Sequence, residues 1–299
     1  MTGGTVFDIG YRSYAGAREG LSRSWLAVYR DGVRAALGLG RGPRAKVLPF
    51  FFIGILSAIA LVMAIIAGAA ERMAGPGAAE RLNLPSHNDY YSIASIILFV
   101  FAALVAPELL CRDKREGVIQ LYLVHPLKAT DYVTARWAAF FSVMIVAAWL
   151  PQLILLLGLA GGDAAPGAYL QKHWLDVPRF LLSGLVMVAY TTTLAMLTAS
   201  FTSRRAYAAV FLVGLFAITT PFTMGVSQEI DGPVGQWISM FSLTNIPLHV
   251  VDVIFGTTTE ITEDAPARQL GATMLVSWCV AWIVVPAAWL WTRYRRMAA

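Results

Sequence analysis

Long apolar segments alternate with short charged segments along this chain. Six uninterrupted apolar windows are each long enough to cross about 30 Å of hydrocarbon as a helix. A single helix satisfies its own backbone hydrogen bonds in lipid, so each window predicts a transmembrane helix and the fold class is an all-α membrane protein. The predicted spans cover residues 47–70, 91–110, 137–160, 180–201, 206–226 and 270–291.

Composition supports a membrane location. Of the 299 residues, 58% are hydrophobic and only 14% are charged, which is more apolar surface than a soluble domain of this size could bury. The first window begins late in the chain and is too long for the apolar region of a cleaved signal peptide. We therefore expect it to remain in the mature protein as a span.

The basic residues are distributed unevenly among the loops. Four segments, residues 1–46, 111–136, 203–205 and 293–296, hold 18 of the 23 Lys and Arg residues. Because basic loops remain on the cytoplasmic side, both termini are predicted to be cytoplasmic in a multi-pass protein of the cell membrane. This asymmetry accounts for the positive charge without any role in nucleic-acid binding.

Two units are predicted. Residues 1–46 form a cytoplasmic segment with an amphipathic helix, which we expect to lie on the membrane surface and to end in a flexible elbow around Pro43. The apolar side of this helix anchors it to the bilayer or contacts a partner subunit. The apolar side of the helix consists of Leu21, Trp25, Val28, Tyr29, Val33 and Leu37. Residues 47–299 form a single transmembrane domain.

The outer segment 227–269 is apolar enough to enter a membrane, but it contains Pro247 and ends in an acidic run. A complete crossing would place that acidic run, and the terminus after it, on the wrong side. The sequence therefore predicts one or two re-entrant or interfacial helices between spans five and six, buried against protein.

A polar segment separates spans two and three. The charged residues 112–116 and Gly117 precede a short run with an apolar face, and Pro126 stops that run. The pattern indicates a short surface helix, which is suited to docking a soluble partner. The simpler interpretation is that the charged residues solvate a helix end and obey the positive-inside rule.

This segment, "PELLCRDKREGVIQLYLVHPLKATDYVTARW" at residues 107–137, resembles the signature region of ABC-2 type transporter permeases. The family pattern is a charged cluster after the second span, an apolar stretch with Tyr, then Pro, then Tyr before the third span. The chain departs from it at Ala135 and Arg136, where the family often has Gly and Lys. The matching residues, in order, are Asp113, Arg115, Gly117, Tyr122, Pro126 and Tyr132.

The resemblance implies a permease subunit that works with a separate ATP-binding-cassette ATPase and with a second permease, identical or homologous. Residues 112–132 would contain the coupling helix that docks on the ATPase. ATP and Mg would bind the partner ATPase, so this chain would have no ATPase site and no cofactor of its own. The residues expected to couple are Arg112, Asp113, Lys114, Arg115, Glu116, Gly117, Leu121, Tyr122, Pro126 and Tyr132.

The transport cycle that the resemblance implies is export of an apolar or amphipathic substrate, such as a drug or a lipid, by alternating access. Two other classes remain open. One is a membrane scaffold or assembly factor that docks a soluble partner and transports nothing. The other, an ion-coupled secondary carrier, is disfavoured because Glu108 is the only acidic or basic side chain within the six windows.

Glu108 has two interpretations. It pairs with Arg112 one helical turn later, or it contributes to gating together with the amphipathic helix of residues 1–46. The deepest polar side chains in the spans either line a substrate pathway or bond their own helix backbone. These candidates are Gln152, Thr191, Thr192, Thr219 and Thr220. The four histidines have no metal-ligand spacing, so no metal site is predicted.

Overall fold

A computed structural model describes residues 20–75, 77–117, 127–163, 165–230 and 232–297, which contain helices and no strand. The six longest helices are apolar enough to cross a membrane, which confirms the predicted number of spans. In chain order the helices are α1 Leu21–Ala36, α2 Pro43–Ala74, α3 Ala78–Arg81, α4 His87–Arg115, α5 Ala129–Gly162, α6 Pro166–Lys172, α7 Asp176–Ser200, α8 Arg205–Glu229, α9 Pro233–Ser239, α10 Asn245–Phe255, α11 Glu260–Glu263, a 3₁₀ turn Pro266–Leu270, and α12 Ala272–Met297.

The second and fourth spans form the centre of the bundle. In the most apolar window of α4, 67% of the residues are buried, and in that of α7, 72%. The same windows of α2, α8 and α12 are only 28%, 17% and 22% buried, so these three helices are peripheral. Most of their apolar surface faces outward, as expected of helices whose solvent is lipid.

The helix α1 packs on protein as well as presenting an amphipathic face. Its buried stripe lies against the start of α5, where Gly32 approaches Ala139 so closely that an added Cβ atom would lie 2.6 Å from the Ala139 Cβ atom. The Trp25 indole donates to Thr134 Oγ1 at 3.2 Å, and the Tyr29 hydroxyl donates to Ser142 Oγ at 2.9 Å. These two aromatic residues of the predicted apolar side therefore bond to the third span.

Spans two and three extend beyond their apolar windows. The helix α4 continues through Arg115, and Gly117 follows with a φ of +67°, a left-handed conformation that suits glycine and ends the helix. The helix α5 already begins at Ala129. Residues 112–115 and 129–132 thus belong to the long helices, and the predicted surface helix at residues 118–126 lies outside the described residues.

Between spans five and six the chain forms short helices at the bundle end opposite to Arg115. The helix α10 is buried from Asn245 to Asp252 and contacts α4, α7 and α12. Short helices buried against protein were expected here. Entry of this segment into the bilayer stays a prediction.

Candidate functional site

A charged cluster, buried except for its exposed member Asp31, joins three helices where α4 ends. We call Asp31, Asp113, Tyr132 and Arg136 the Arg136 cluster. Arg136 is 1% exposed, and its Nη2 atom lies 2.7 Å from Asp113 Oδ2. The Tyr132 hydroxyl donates to the same oxygen at 2.6 Å, and Arg136 Nη1 lies 2.8 Å from Asp31 Oδ2. An arginine can be buried here because two carboxylates neutralise its charge, and the hydrogen bond to Asp113 orients it.

Each member of the Arg136 cluster comes from a position that the local helix dictates. Tyr132 and Arg136 are one turn apart on α5, so both side chains project from one face. Asp113 lies in the last turn of α4, and Asp31 lies on α1. The cluster therefore fixes α1, the second span α4 and the third span α5 to one another.

Glu108 makes a second set of ion pairs at the same end of the bundle. We call this end, where α4 ends at Arg115 and α8 begins at Arg205, the basic end. Its Oε2 atom accepts a bond from Arg41 Nη1 at 2.9 Å, and its Oε1 atom accepts a bond from Arg205. Arg112 pairs instead with Glu116, at 3.0 Å. The predicted Glu108–Arg112 contact is thus wrong, because two arginines from distant parts of the chain surround the carboxylate. Glu108 links the elbow, which in the structure is residues 37–42 because α2 already begins at Pro43, to the start of α8.

The side chain of Lys114, which belongs to the last turn of α4, lies against the C-terminal end of α7. Its ammonium group and Arg293 Nε both donate to the carbonyl oxygen of Ser200, the latter at 3.2 Å. Lys114 also lies 5.6 Å from the centre of the Tyr294 ring. Two cations at a helix C-terminus offset its partial negative charge, so Lys114 joins spans two, four and six.

The predicted coupling residues therefore fall into different environments. The structure brings Asp113 and Tyr132 together in the buried cluster and turns Lys114 inward. Arg112, Arg115, Glu116 and Gly117 are exposed on the turn that ends α4. Leu121, Tyr122 and Pro126 lie outside the described residues. The exposed turn thus rests directly on the Arg136 cluster.

Arg136 is the residue that sequence reasoning missed. The third apolar window begins at Trp137, so the sequence places Arg136 in a cytoplasmic loop, among the residues of the positive-inside pattern. The available signal was the spacing of Tyr132 and Arg136, which places both on one helical face if the helix begins before the window.

The predicted pathway residues do not share one surface. The Thr191 and Thr219 hydroxyls donate to the backbone carbonyls of Met187 and Leu215, one turn earlier, as the simpler interpretation expected. Thr192 is fully buried. Thr220 bonds to Thr244 Oγ1 at 2.8 Å and lines an apolar groove of about 310 Å³ between α4 and α8.

Gln152 holds the outer start of α4. Its Oε1 atom lies 2.5 Å from His87 Nδ1, and its Nε2 atom donates to the His87 carbonyl at 3.0 Å. Both side chains are buried. The amide of Gln152 is therefore used in packing α5 against α4.

The end opposite to the basic end is held by neutral groups and one buried carboxyl. Asn88 Nδ2 donates to Asp252 Oδ1 at 3.1 Å and to Thr257 Oγ1 at 2.8 Å. Burial raises the pKa of Asp252, although bonds from Thr262 and Asn88 oppose that shift. These contacts attach α10 to the start of α4.

His249 lies on the same helix, α10. Burial, and secondarily the charge of Arg268, lowers the pKa of His249 to about 4. Its imidazole is therefore neutral at physiological pH and packs as part of the core.

Comparison with known proteins gives one family. The model described as "ABC-2 family transporter protein" matches residues 83–290, which is more than half of the chain and includes the Arg136 cluster apart from Asp31. A search of curated proteins gives no match.

Proposed function

Because the chain belongs to the ABC-2 transporter family, we propose that it is the membrane subunit of an ATP-driven exporter and that a separate ATPase docks on its basic end. Membrane subunits of this family have no ATPase site of their own and generally work with an ATP-binding-cassette partner. ATP and Mg would bind that partner. The two permease subunits of the complex would be two copies of this chain or this chain and a homologue.

One observation carries the docking proposal. The turn at Arg112, Arg115 and Glu116 is exposed, while the neighbouring residue Asp113 is buried and bonded to Arg136 and Tyr132. A partner that moves this turn therefore displaces the ends of α4 and α5 together, and α1 through Asp31. Charged side chains with exposed donors and acceptors suit an interface that must be oriented as well as bound.

The substrate proposal follows from the chemistry of the spans. The six apolar windows contain Glu108 as their only acidic or basic side chain, and the groove between α4 and α8 is lined mostly by apolar side chains. We infer an apolar or amphipathic substrate, moved outward by alternating access when the ATPases close. The excess of Lys and Arg at the basic end supports a cytoplasmic location for that end and for both termini, in the cell membrane.

Copurification with ATPase measurement tests this function. We expect the tagged chain in mild detergent to retain a stoichiometric subunit with a nucleotide-binding loop, and transport of a substrate in vesicles to require ATP. The double variant Arg115→Ala/Glu116→Ala should hydrolyse ATP without transport or lose the partner, because the exposed turn no longer transmits force.

The matched control is Arg72→Ala/Glu229→Ala, which removes the same two residue types from exposed positions at the opposite end. It should retain both partner and transport. A retained partner without any nucleotide site would favour a scaffold, and transport driven by an ion gradient without ATP would favour a secondary carrier. Equal activity of both double variants would contradict docking at the Arg112–Glu116 turn.

A further inference from the structure

We propose that the basic end binds a phosphate-bearing anion in a cavity of about 230 Å³ beside the last turns of α4. The cavity lies where three segments meet: the elbow after α1, the C-terminal end of α4, and the turn that precedes α8. Its lining residues are Arg41, Pro107, Glu108, Cys111, Arg112, Arg115, Glu116, Ser203 and Arg205.

The charge of the lining favours an anion. Four arginines face the cavity, and only two glutamates oppose them, which leaves an excess of two positive charges. The ion pairs of Glu108 and Glu116 therefore cannot neutralise all four guanidinium groups. A doubly charged phosphate would complete the charge balance, and a singly charged phosphodiester would halve the excess.

Individual atoms show unused binding capacity. Arg41 gives its Nη1 atom to Glu108, but its Nη2 atom is buried and has no hydrogen-bond partner among the described residues. The Arg115 side chain is exposed and makes no ion pair within the described part of the chain. A buried donor without a partner costs free energy, so an acceptor in the cavity would remove that cost.

The size and position of the cavity define the ligand. A volume of about 230 Å³ is smaller than a drug-sized site and suits a single phosphate or headgroup. Guanidinium groups bind phosphate oxygens in pairs with matched geometry. The cavity adjoins the end of a membrane-spanning helix, where basic pockets meet anionic headgroups, so the phosphate comes from a phospholipid headgroup or from free phosphate.

The bound anion would join the three segments. Arg41 belongs to the elbow, Arg115 to α4 and Arg205 to α8. Bonds from all three to one phosphate would hold the elbow and the start of α8 against the second span. This binding does not depend on ATP-driven transport, and it can be measured on the chain alone.

The experiment titrates the purified full-length chain with phosphatidylglycerol and counts bound lipid by native mass spectrometry. We expect Arg41→Gln/Arg205→Gln to raise the apparent Kd at least tenfold, since each lost basic contact weakens binding several-fold. The control Arg44→Gln/Arg204→Gln removes the same charge from exposed positions that do not line the cavity, and it should change the Kd by less than about twofold.

Competition with inorganic phosphate identifies the source. Displacement of the lipid by millimolar phosphate supports the site with free phosphate as its ligand, and persistence of bound lipid supports it with a headgroup. Equal weakening in both double variants would overturn the proposal, because it would indicate general charge attraction. No weakening in Arg41→Gln/Arg205→Gln would overturn it as well.

The first double variant also removes the ion pairs of Glu108, so a second variant is needed that changes the cavity without changing those pairs. Arg115→Gln changes an exposed side chain that has no ion pair to lose, so the thermal unfolding temperature should not change. We expect a Kd increase of about fivefold. An unchanged Kd in this folded variant would contradict the proposed site.

Discussion

The two ends of the bundle are held by different chemistry. At the basic end, ion pairs of Arg136 and Glu108, and the bond from Lys114 to the Ser200 carbonyl, connect segments that are far apart in sequence. At the opposite end, amide and hydroxyl groups and one buried carboxyl connect the helices, as in the bonds of Asn88 to Asp252 and Thr257. Ion pairs depend strongly on geometry and on both partners, so the basic end is suited to transmit displacement, whereas the opposite end holds its helices through amide and hydroxyl hydrogen bonds.

The largest expected effect comes from the centre of the basic end. Arg136→Met leaves Asp113 buried without a cation, and loss of one partner of a buried pair costs about 3–5 kcal/mol. We expect a large drop in the thermal unfolding temperature of the purified chain. Arg136→Met/Asp113→Asn, which removes both charges, should recover much of that loss. A single variant as stable as the wild type would show that the Arg136 cluster does not hold the three helices.

At the opposite end, we expect the stability of the protein to depend on pH through His249. Its folded-state pKa lies near 4, below the ordinary value of 6.5, so its contribution to stability is complete above pH 6.5 and falls as pH decreases toward 4. The full loss amounts to about 3 kcal/mol. Arg268 is the charged group that adds to this shift, while the buried Asp252 titrates with the opposite sign.

Melting curves at pH 7 and pH 5 measure this contribution. His249→Leu removes the titrating group, so the variant should lose less stability than the wild type between the two values. Identical losses in both proteins would contradict a neutral buried imidazole at position 249.

A smaller effect is expected where α1 meets α5. Gly32→Ala places a Cβ atom 2.6 Å from the Ala139 Cβ atom, and the repacking should cost about 1–3 kcal/mol. Gly54→Ala is the control, since its added Cβ atom has no neighbour within 4 Å and it gains helix propensity. Equal unfolding temperatures for the two variants would show that α1 does not pack closely on the third span.

The smallest effect is expected at the exposed turn. Arg112→Gln breaks a pair with Glu116 in which both side chains are more than 40% exposed, at 45% and 42%. Such a pair contributes less than about 0.5 kcal/mol, so the unfolding temperature should hardly change. A loss comparable to that of Arg136→Met would remove the distinction between the exposed turn and the cluster beneath it.

The sequence predicted the fold more fully than the site. Apolar windows identify spans because the bilayer fixes their length and chemistry, and six spans are confirmed together with the family. Helix ends were less predictable, since α4 and α5 continue past their windows into polar sequence. The expected docking role of residues 112–132 stays a prediction.

Ion-pair partners could not be derived from spacing. Glu108 and Arg112 are one turn apart, yet Glu108 bonds to Arg41 and Arg205, which only the folded bundle brings near. The role of Arg136 could not be predicted from the sequence for the same reason. Its importance depends on Asp31 and Asp113, which lie on two other helices.

Crosslinking from the exposed turn tests the central claim most directly. Glu116→Cys, carrying a photoreactive label, should crosslink to the copurified ATPase, because the turn faces the docking partner. Labelling is selective, since the native Cys111 and Cys279 are buried. Glu229→Cys, exposed at the opposite end, is the control and should give no such product. A crosslink from position 229 and none from position 116 would contradict docking of the ATPase at the basic end.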